Sequence, residues 1–247
     1  MIKIEKKDRI VHLIISQPPV NVLDTKLLKE LSGHLKSFSS DENIAAIFLS
    51  GEGKCFSAGA SVEDHREEYA EGILSALLEV CQRLAQFPVP TVALVHGSCL
   101  GGALEAIAFC DLVVADPSAK FGVPEISLAF FPPFACYQFS RITGRQNAAH
   151  LIFTGEIVDA ERAQAMGLVQ KILKKDEWKR MEDQFNALSL PVVRLAKQAF
   201  LQGTEPFQKT LLKTLTDLFL QRLYKIEDVE EGILSFKEKR KPVWKHR

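Results

Sequence analysis

The stretch Val95–Ala115, VHGSCLGGALEAIAFCDLVVA, constrains this chain more than any other. A β-type run, Thr91–His96, reaches a glycine turn, and Gly101-Gly102 then opens a short apolar helix that runs into a second β-type run. Within that helix one ionisable residue, Glu105, stands among Ala, Leu, Ile and Phe. The first amides of a helix lack intrahelical partners and carry the positive end of its dipole, so N–H groups near Gly102 are suited to hold developing negative charge. Glu105 lies three residues on, on the same face, and helical side chains lean toward the N-terminus. Its carboxylate would hang over the same spot as those amides. A second reading fits the spacing equally well: with Gly102 as N-cap, Glu105 is the N3 residue, where Glu is favoured for capping alone. The glycine pair is neither a full dinucleotide fingerprint nor a phosphate loop with its lysine, which counts against a Rossmann dehydrogenase.

The rest of the chain narrows the choice. Its 247 residues suffice for one large domain with a substantial core. A formal net charge of zero argues against a general nucleic-acid binder. The five cysteines (Cys55, Cys81, Cys99, Cys110, Cys136) are scattered, odd in number and without CxxC spacing, so they read as reduced thiols rather than a zinc site or disulfide framework. The first residues alternate and carry charge, unlike a signal peptide, and no apolar run approaches the roughly 18 residues of a membrane span. These features predict a soluble cytoplasmic protein.

In chain order, Lys3–Ser16 reads as two short strands around a turn at Lys6–Asp8. A helix follows from Asp24, with Leu27, Leu28, Leu31, Leu35 and Phe38 on one stripe, and Ile44–Ser50 is a buried-type strand. The small, flexible segment from Gly51 to Ser61 would let a ligand approach the backbone. Asp64 with Glu67 matches a D-x-x-E helix start, a rival to any role for Asp64 in a site. The helix it starts carries Ile73, Leu77, Val80, Leu84 and Phe87, and Pro88 and Pro90 stop it. Further strands are read at Ala119–Gly122 and Leu168–Leu173. Helices are read at Gln146–Phe153, from a cap at Asp159 to Gly167, and at Asp176–Leu188, Val192–Leu201, Pro206–Tyr224 and Asp228–Arg240. The Phe130–Phe134 aromatic-proline cluster suits core or a rigid turn as well as a ligand wall. The basic tail (Lys237, Lys239, Arg240, Lys241, Lys245, Arg247) suits a solvated end or a ligand phosphate. No linker separates residues 191–247 from residues 1–190, so the C-terminal helices read as an extension of one domain.

Four motifs, each weak alone, stand in one order along nearly the whole chain. They are Cys55-Phe56-Ser57-Ala58-Gly59-Ala60, His96 through Glu105, Phe121-Gly122-Val123-Pro124-Glu125, and Glu231-Gly232 through Lys241 with Pro242 and Trp244. Together they resemble the enoyl-CoA hydratase/isomerase (crotonase) superfamily. The resemblance implies an α/β crotonase-like fold: a spiral of ββα turns with two roughly perpendicular sheets and a C-terminal helical region that trimerises. It also implies an acyl-CoA thioester substrate with no separate cofactor, and a homotrimer or dimer of trimers. By motif position, the amides of Ala60 and Gly102 would hold the thioester oxygen, and Glu105 and Glu125 would flank the reacting carbons. Aligning both glutamates favours hydration. A simple isomerase of the same fold, a generic short- or medium-chain hydratase and a non-catalytic or RNA-binding relative are the alternatives.

Two departures refine that expectation. Ser61 stands where ordinary hydratases carry an acid, and Phe131-Pro132-Pro133 stands where they have a glycine-rich turn. With Val62-Glu63-Asp64-His65, this combination looks most like the cyclohexa-1,5-diene-1-carbonyl-CoA hydratases of anaerobic benzoyl-CoA degradation. Ala58, Ser61, Asp64, His65, Phe131 and Pro132 are therefore expected to line the acyl site.

Overall fold

The computed structural model describes residues 1–204 and 209–244. Strands β1 (Ile2–Lys7) and β2 (Ile10–Ile15) pair antiparallel, Ile2 opposite Ile15 and Lys7 opposite Ile10. Lys6 and Lys7 stay in the ladder, so the turn falls at Asp8-Arg9, later than the Lys6–Asp8 expected, with Asp8 left-handed at φ 53°. Helix α1 (Thr25–Phe38) starts where Asp24 caps it, Oδ1 accepting from Leu27 N at 2.7 Å, and its leucine stripe is buried with Phe38 at the margin. Strand β3 (Ala46–Gly51), helix α2 (Glu67–Ala85) and strand β4 (Thr91–Val95) follow, then β5 (Ser98–Leu100), α3 (Gly102–Ile107), β6 (Leu112–Ala115) and β7 (Lys120–Gly122). Helices α4 (Pro133–Ile142) and α5 (Arg145–Thr154) lead to β8 (Val158–Asp159), α6 (Ala160–Ala165) and β9 (Lys171–Ile172). Asp159 caps α6 as expected, accepting from Arg162 N at 2.9 Å. The chain continues through α7 (Lys179–Asn186), α8 (Leu190–Thr204), α9 (Lys209–Arg222) and α10 (Asp228–Lys237).

Two sheets result. The larger has the order β1-β2-β3-β4-β6-β9, parallel from β2 onward, and the smaller the order β5-β7-β8. Strands β3 and β4 are nearly continuous apolar runs because both faces of the large sheet are covered: α1 and α2 on one, and Trp178, Met181 and Phe185 around α7 on the other. The chain visits the large sheet, then the small sheet, then a helix, and repeats. Strand β4 leads through β5 to α3, and β6 leads through β7 to α4. The earlier turns make the same excursion with single bridges, Leu23 to Ala60 and Ser57 to Cys99, in place of full strands. This repetition is geometric, and residue identity hides it in the sequence.

Expected element lengths change where local chemistry intervenes. The expected strand Leu168–Leu173 shrinks to β9, and the helix expected from Asp176 begins at Lys179 after a 3₁₀ turn at Lys175–Glu177. Asp64 does not start α2. That helix begins at Glu67 behind Arg66 without a side-chain cap, while Asp64 Oδ2 accepts from Thr25 N and Oγ1, both at 2.9 Å, at the first turn of α1. The D-x-x-E pattern therefore marks a helix N-terminus in the wrong helix. Pro206, Lys245 and Arg247 of the expected C-terminal pattern lie outside the described residues.

The C-terminal helices press onto the core near its loops. Lys197 of α8 makes a buried ion pair with Asp111, which also accepts from Thr91 N at 2.8 Å. Helix α9 packs on α4 and α2, and α10 packs on the 3₁₀ turn Pro124–Leu128. The latter contact is backbone-close: a Cβ on Gly232 would collide with the Leu128 carbonyl. Glu231 beside it ties down the following strand of chain, its Oε1 accepting from Arg240 Nη1 at 2.5 Å and from Val243 N at 2.7 Å. Replacing Gly232 with Ala should therefore cost about 1–3 kcal/mol of stability by overpacking. Urea unfolding of the variant checks this, and an unchanged midpoint would refute the close approach.

Candidate active site

The first element of the site is the loop between β3 and α2. Asn21 Nδ2 donates to the carbonyls of Cys55 and Phe56 at 3.0 and 3.2 Å, and Ser57 Oγ donates to Asn21 O at 2.6 Å while accepting from Gly59 N at 3.1 Å. The segment then pairs with Leu23: Leu23 N donates to Gly59 O, and Ser61 N donates to Leu23 O, both at 2.9 Å. Extended backbone alternates its hydrogen-bonding direction, so Ala60 N–H points away from Leu23. Among the described residues it has no protein acceptor.

The second element is the start of α3. Gly101 is the N-cap, at φ 51° and ψ −133°, and Gly102 is the first helical residue. This displaces the expected register by one: Glu105 is at N4, and its amide donates to Gly101 O at 2.9 Å. Its side chain takes no part in a capping box. Gly102 N, like Ala60 N, has no protein acceptor among the described residues. The two amides are neighbours, since a Cβ placed on Gly102 would stand 3.0 Å from Ala60 Cβ and 3.7 Å from Ala60 N.

The acids complete the arrangement. Glu105 is 3% exposed, and its Oε1 accepts from Phe134 N at 2.8 Å and Ala135 N at 2.9 Å, the first amides of α4. Pro132 and Pro133 set up that helix start; Pro133 is at N1, where its missing N–H is no loss. Glu125 sits in the 3₁₀ turn Pro124–Leu128 with its carboxylate against the Gly101 backbone: a Cβ on Gly101 would lie 2.6 Å from Glu125 Oε1. At this position glycine is needed twice over, for its left-handed φ and for that contact. Among the described residues Glu125 Oε2 is buried without a hydrogen-bond partner.

The two carboxyl groups titrate apart. Burial raises Glu105 to about 7, the Phe134 and Ala135 amides opposing the rise. Burial also raises Glu125 well above the usual carboxylate range, and the charge on Glu105 raises it further. Glu105 is therefore the readier of the pair to ionise, and Glu125 holds its proton the more tightly. Burial, with both acids nearby, pushes the Cys136 thiol up to about 12, so it is no nucleophile at neutral pH.

The other residues expected at the site divide. Ala58 is exposed at the loop rim, and Ser61 is half-buried beside Ala60. His65 Nδ1 lies 2.6 Å from Ser61 O, and its ring meets Phe130 edge-on at 5.3 Å. Phe131 is half-buried and Pro132 buried, both leading into the α4 amides. Asp64 is turned away to Thr25, so it anchors the loop to α1 rather than lining the acyl side. Sequence reasoning missed Asn21 and the Phe134 and Ala135 amides. The consecutive prolines before Phe134 were the available signal for a helix start at that point. Among the described residues no group of three or more His, Cys, Asp and Glu side chains is placed to hold a metal ion, and no helix is long and apolar enough to cross a membrane.

Known proteins share this arrangement of elements. The chain is 34% identical to a probable enoyl-CoA hydratase of Rhizobium meliloti (strain 1021), over 99% of this chain and 97% of that protein. It is 30% identical to the cyclohexa-1,5-dienecarbonyl-CoA hydratase of Thauera aromatica, over 99% and 96%. The enoyl-CoA hydratase from Bacillus halodurans superposes with a TM-score of 0.88 at 22% identity, covering 95% of this chain and 99% of that one. The enoyl-CoA hydratase/isomerase from Pseudoalteromonas atlantica T6c superposes with a TM-score of 0.85 at 25% identity, over 98% and 99%. These likenesses identify the crotonase fold. The enoyl-CoA hydratase/isomerase family model matches residues 5–247, and the chain belongs to that family.

Proposed function

We propose that the protein adds water across a conjugated acyl-CoA thioester, and the observation that carries this is the convergence of two free amides and two unlike carboxyls. The thioester oxygen binds between Ala60 N–H and Gly102 N–H. Ionised Glu105 takes a proton from water as the water oxygen bonds to the β carbon. The π electrons move onto the thioester as an enolate, which the two amides stabilise by roughly 3–4 kcal/mol each. The carboxyl of Glu125 delivers a proton to carbon, leaving Glu125 ionised and Glu105 protonated. Transfer of a proton from Glu105 to Glu125 resets the pair. The pair favours hydration over simple isomerisation because it offers two carboxyl groups of unlike proton affinity, one suited to take a proton and the other to give one.

The finer reading is a cyclic dienoyl thioester, cyclohexa-1,5-diene-1-carbonyl-CoA, hydrated to 6-hydroxycyclohex-1-ene-1-carbonyl-CoA in anaerobic benzoyl-CoA degradation. Water adds at the β carbon and the Glu125 proton goes to the far end of the resulting dienolate. Ser61 after the oxyanion loop, the rigid Phe131-Pro132 wall and the Thauera aromatica relative support it. His65 meets Phe130, the residue before that wall, edge-on. The generic alternative is a straight-chain enoyl-CoA hydratase.

The assembly we infer is a homotrimer or a dimer of trimers. Its supports are family membership and the outward apolar side chains Phe153, Ile157, Val192 and Leu195. Light scattering should return three or six chains per particle, and a monomer would refute it.

Crotonyl-CoA and the cyclic diene thioester assayed side by side test the function, with the product identified by NMR. At least one should be hydrated, and turnover of neither would sink the reading. Faster turnover of the diene selects the finer reading. Glu105→Gln should lower kcat by about 10²–10⁴-fold while thioester affinity stays close to that of the parent. An active variant would remove Glu105 from the chemistry.

The profile of kcat/KM against pH should be bell-shaped. Activity should rise as Glu105 ionises through about 7 and fall on the alkaline side as Glu125 loses its proton. A flat profile between pH 5 and 8 would contradict this division of roles.

A further inference from the structure

Five rings from three separate segments meet, one of those segments following the Ala60 loop and another following Glu125. His65 comes from the turn after the Ala60 loop, Phe130 and Phe131 from the link between Glu125 and α4, and Phe219 and Tyr224 from α9 and the 3₁₀ turn behind it. Phe219 is the hub. Its ring stacks on Phe130 at 5.8 Å and packs against Phe131 at 5.3 Å, Tyr224 at 6.0 Å and His65 at 6.3 Å. It is 1% exposed.

Two of the three segments adjoin reacting groups along the chain, and the third is tied to one of them. Ser61, whose carbonyl meets His65 Nδ1, follows Ala60 directly. Phe130 N donates to the Glu125 carbonyl at 3.0 Å. Phe131 runs through Pro132 and Pro133 to the amides that hold Glu105. The Tyr224 hydroxyl donates to the His65 carbonyl, closing the ring of contacts. The five rings themselves carry no charge: burial holds the His65 imidazole below its usual pKa against the opposing pull of Asp64, and Glu67 lies near Tyr224 outside the cluster.

Resting on the thioester reading above, we propose that Phe219 is the end wall of the acyl pocket, a specificity-determining residue that admits short or ring-shaped uncharged acyl groups and stops long straight chains. Close-packed rings leave no channel for further methylenes and yield little to pressure from one. Their faces and edges offer good contacts to a flat, unsaturated ring.

The test is calorimetric titration of the full chain with saturated thioesters, which cannot be hydrated: butanoyl-, cyclohexanecarbonyl- and decanoyl-CoA. The parent protein should bind decanoyl-CoA about tenfold or more weakly than the other two. In Phe219→Leu, and in Phe131→Ala as a second variant at a half-buried position, the ratio of decanoyl to butanoyl affinity should rise about fivefold or more. Circular dichroism establishes that each variant is folded. Equal affinity of the parent for all three thioesters would overturn the end wall while leaving the thioester reading intact, as would an unchanged ratio in both folded variants. If none of the three binds, the thioester reading falls and the end wall falls with it.

Discussion

The structure depends on one pair of hydrogen bonds, those from the Phe134 and Ala135 amides to the Glu105 carboxylate. A carboxylate deep in a protein is costly unless its charge is met by donors, and two helix-terminal amides meet it without adding a competing full charge. The same bonds fix the start of α4 against α3, so one contact both holds the acid and docks the helix. A lysine or arginine in that place would drive the carboxyl well down and remove it from use as a base. Backbone dipoles are the milder partner. They stabilise the anion enough for it to exist near neutrality and still leave it able to take a proton.

Glu125 is treated in the opposite way. Its Oε2 receives no donor among the described residues, and its neighbour is another acid. Two groups of identical chemistry are thereby given different proton affinities by their surroundings alone, and acid–base pairs are built in this manner. The glycines between them make the closeness possible, since Gly101 lies against one acid and Gly102 against the opposing amide.

Much of this was legible in the sequence, and the limits are physical. The leucine stripe of α1, the cap at Asp159, and the strand–turn–helix around Gly101 follow from local periodicity and capping chemistry, and the structure contains them. The four motifs identified the family and brought Ala60, Gly102, Glu105 and Glu125 together. Local pattern could not tell which helix a polar side chain serves: Asp64 fits a cap for α2 and is spent on α1, 39 residues away in sequence. Nor could it show that Glu105 is held by amides 29 and 30 residues further on. Phe219 was the least visible of all, because an aromatic residue in an amphipathic helix reads as ordinary core. Only the docking of α9 against the Phe130-Phe131 link and the turn at His65 gives it a neighbourhood.

Burial of the two acids has a thermodynamic consequence for folding itself. In the unfolded chain both carboxyls ionise near the ordinary value of 4.5, whereas in the folded protein both hold their protons to higher pH. Between those limits the native state binds more protons, so folding near neutrality draws hydrogen ions from the solvent. The contribution is wholly favourable below the ordinary carboxyl value and is lost as pH rises through the native values. Alkaline surroundings therefore work against the finished molecule at the place where its chemistry is concentrated.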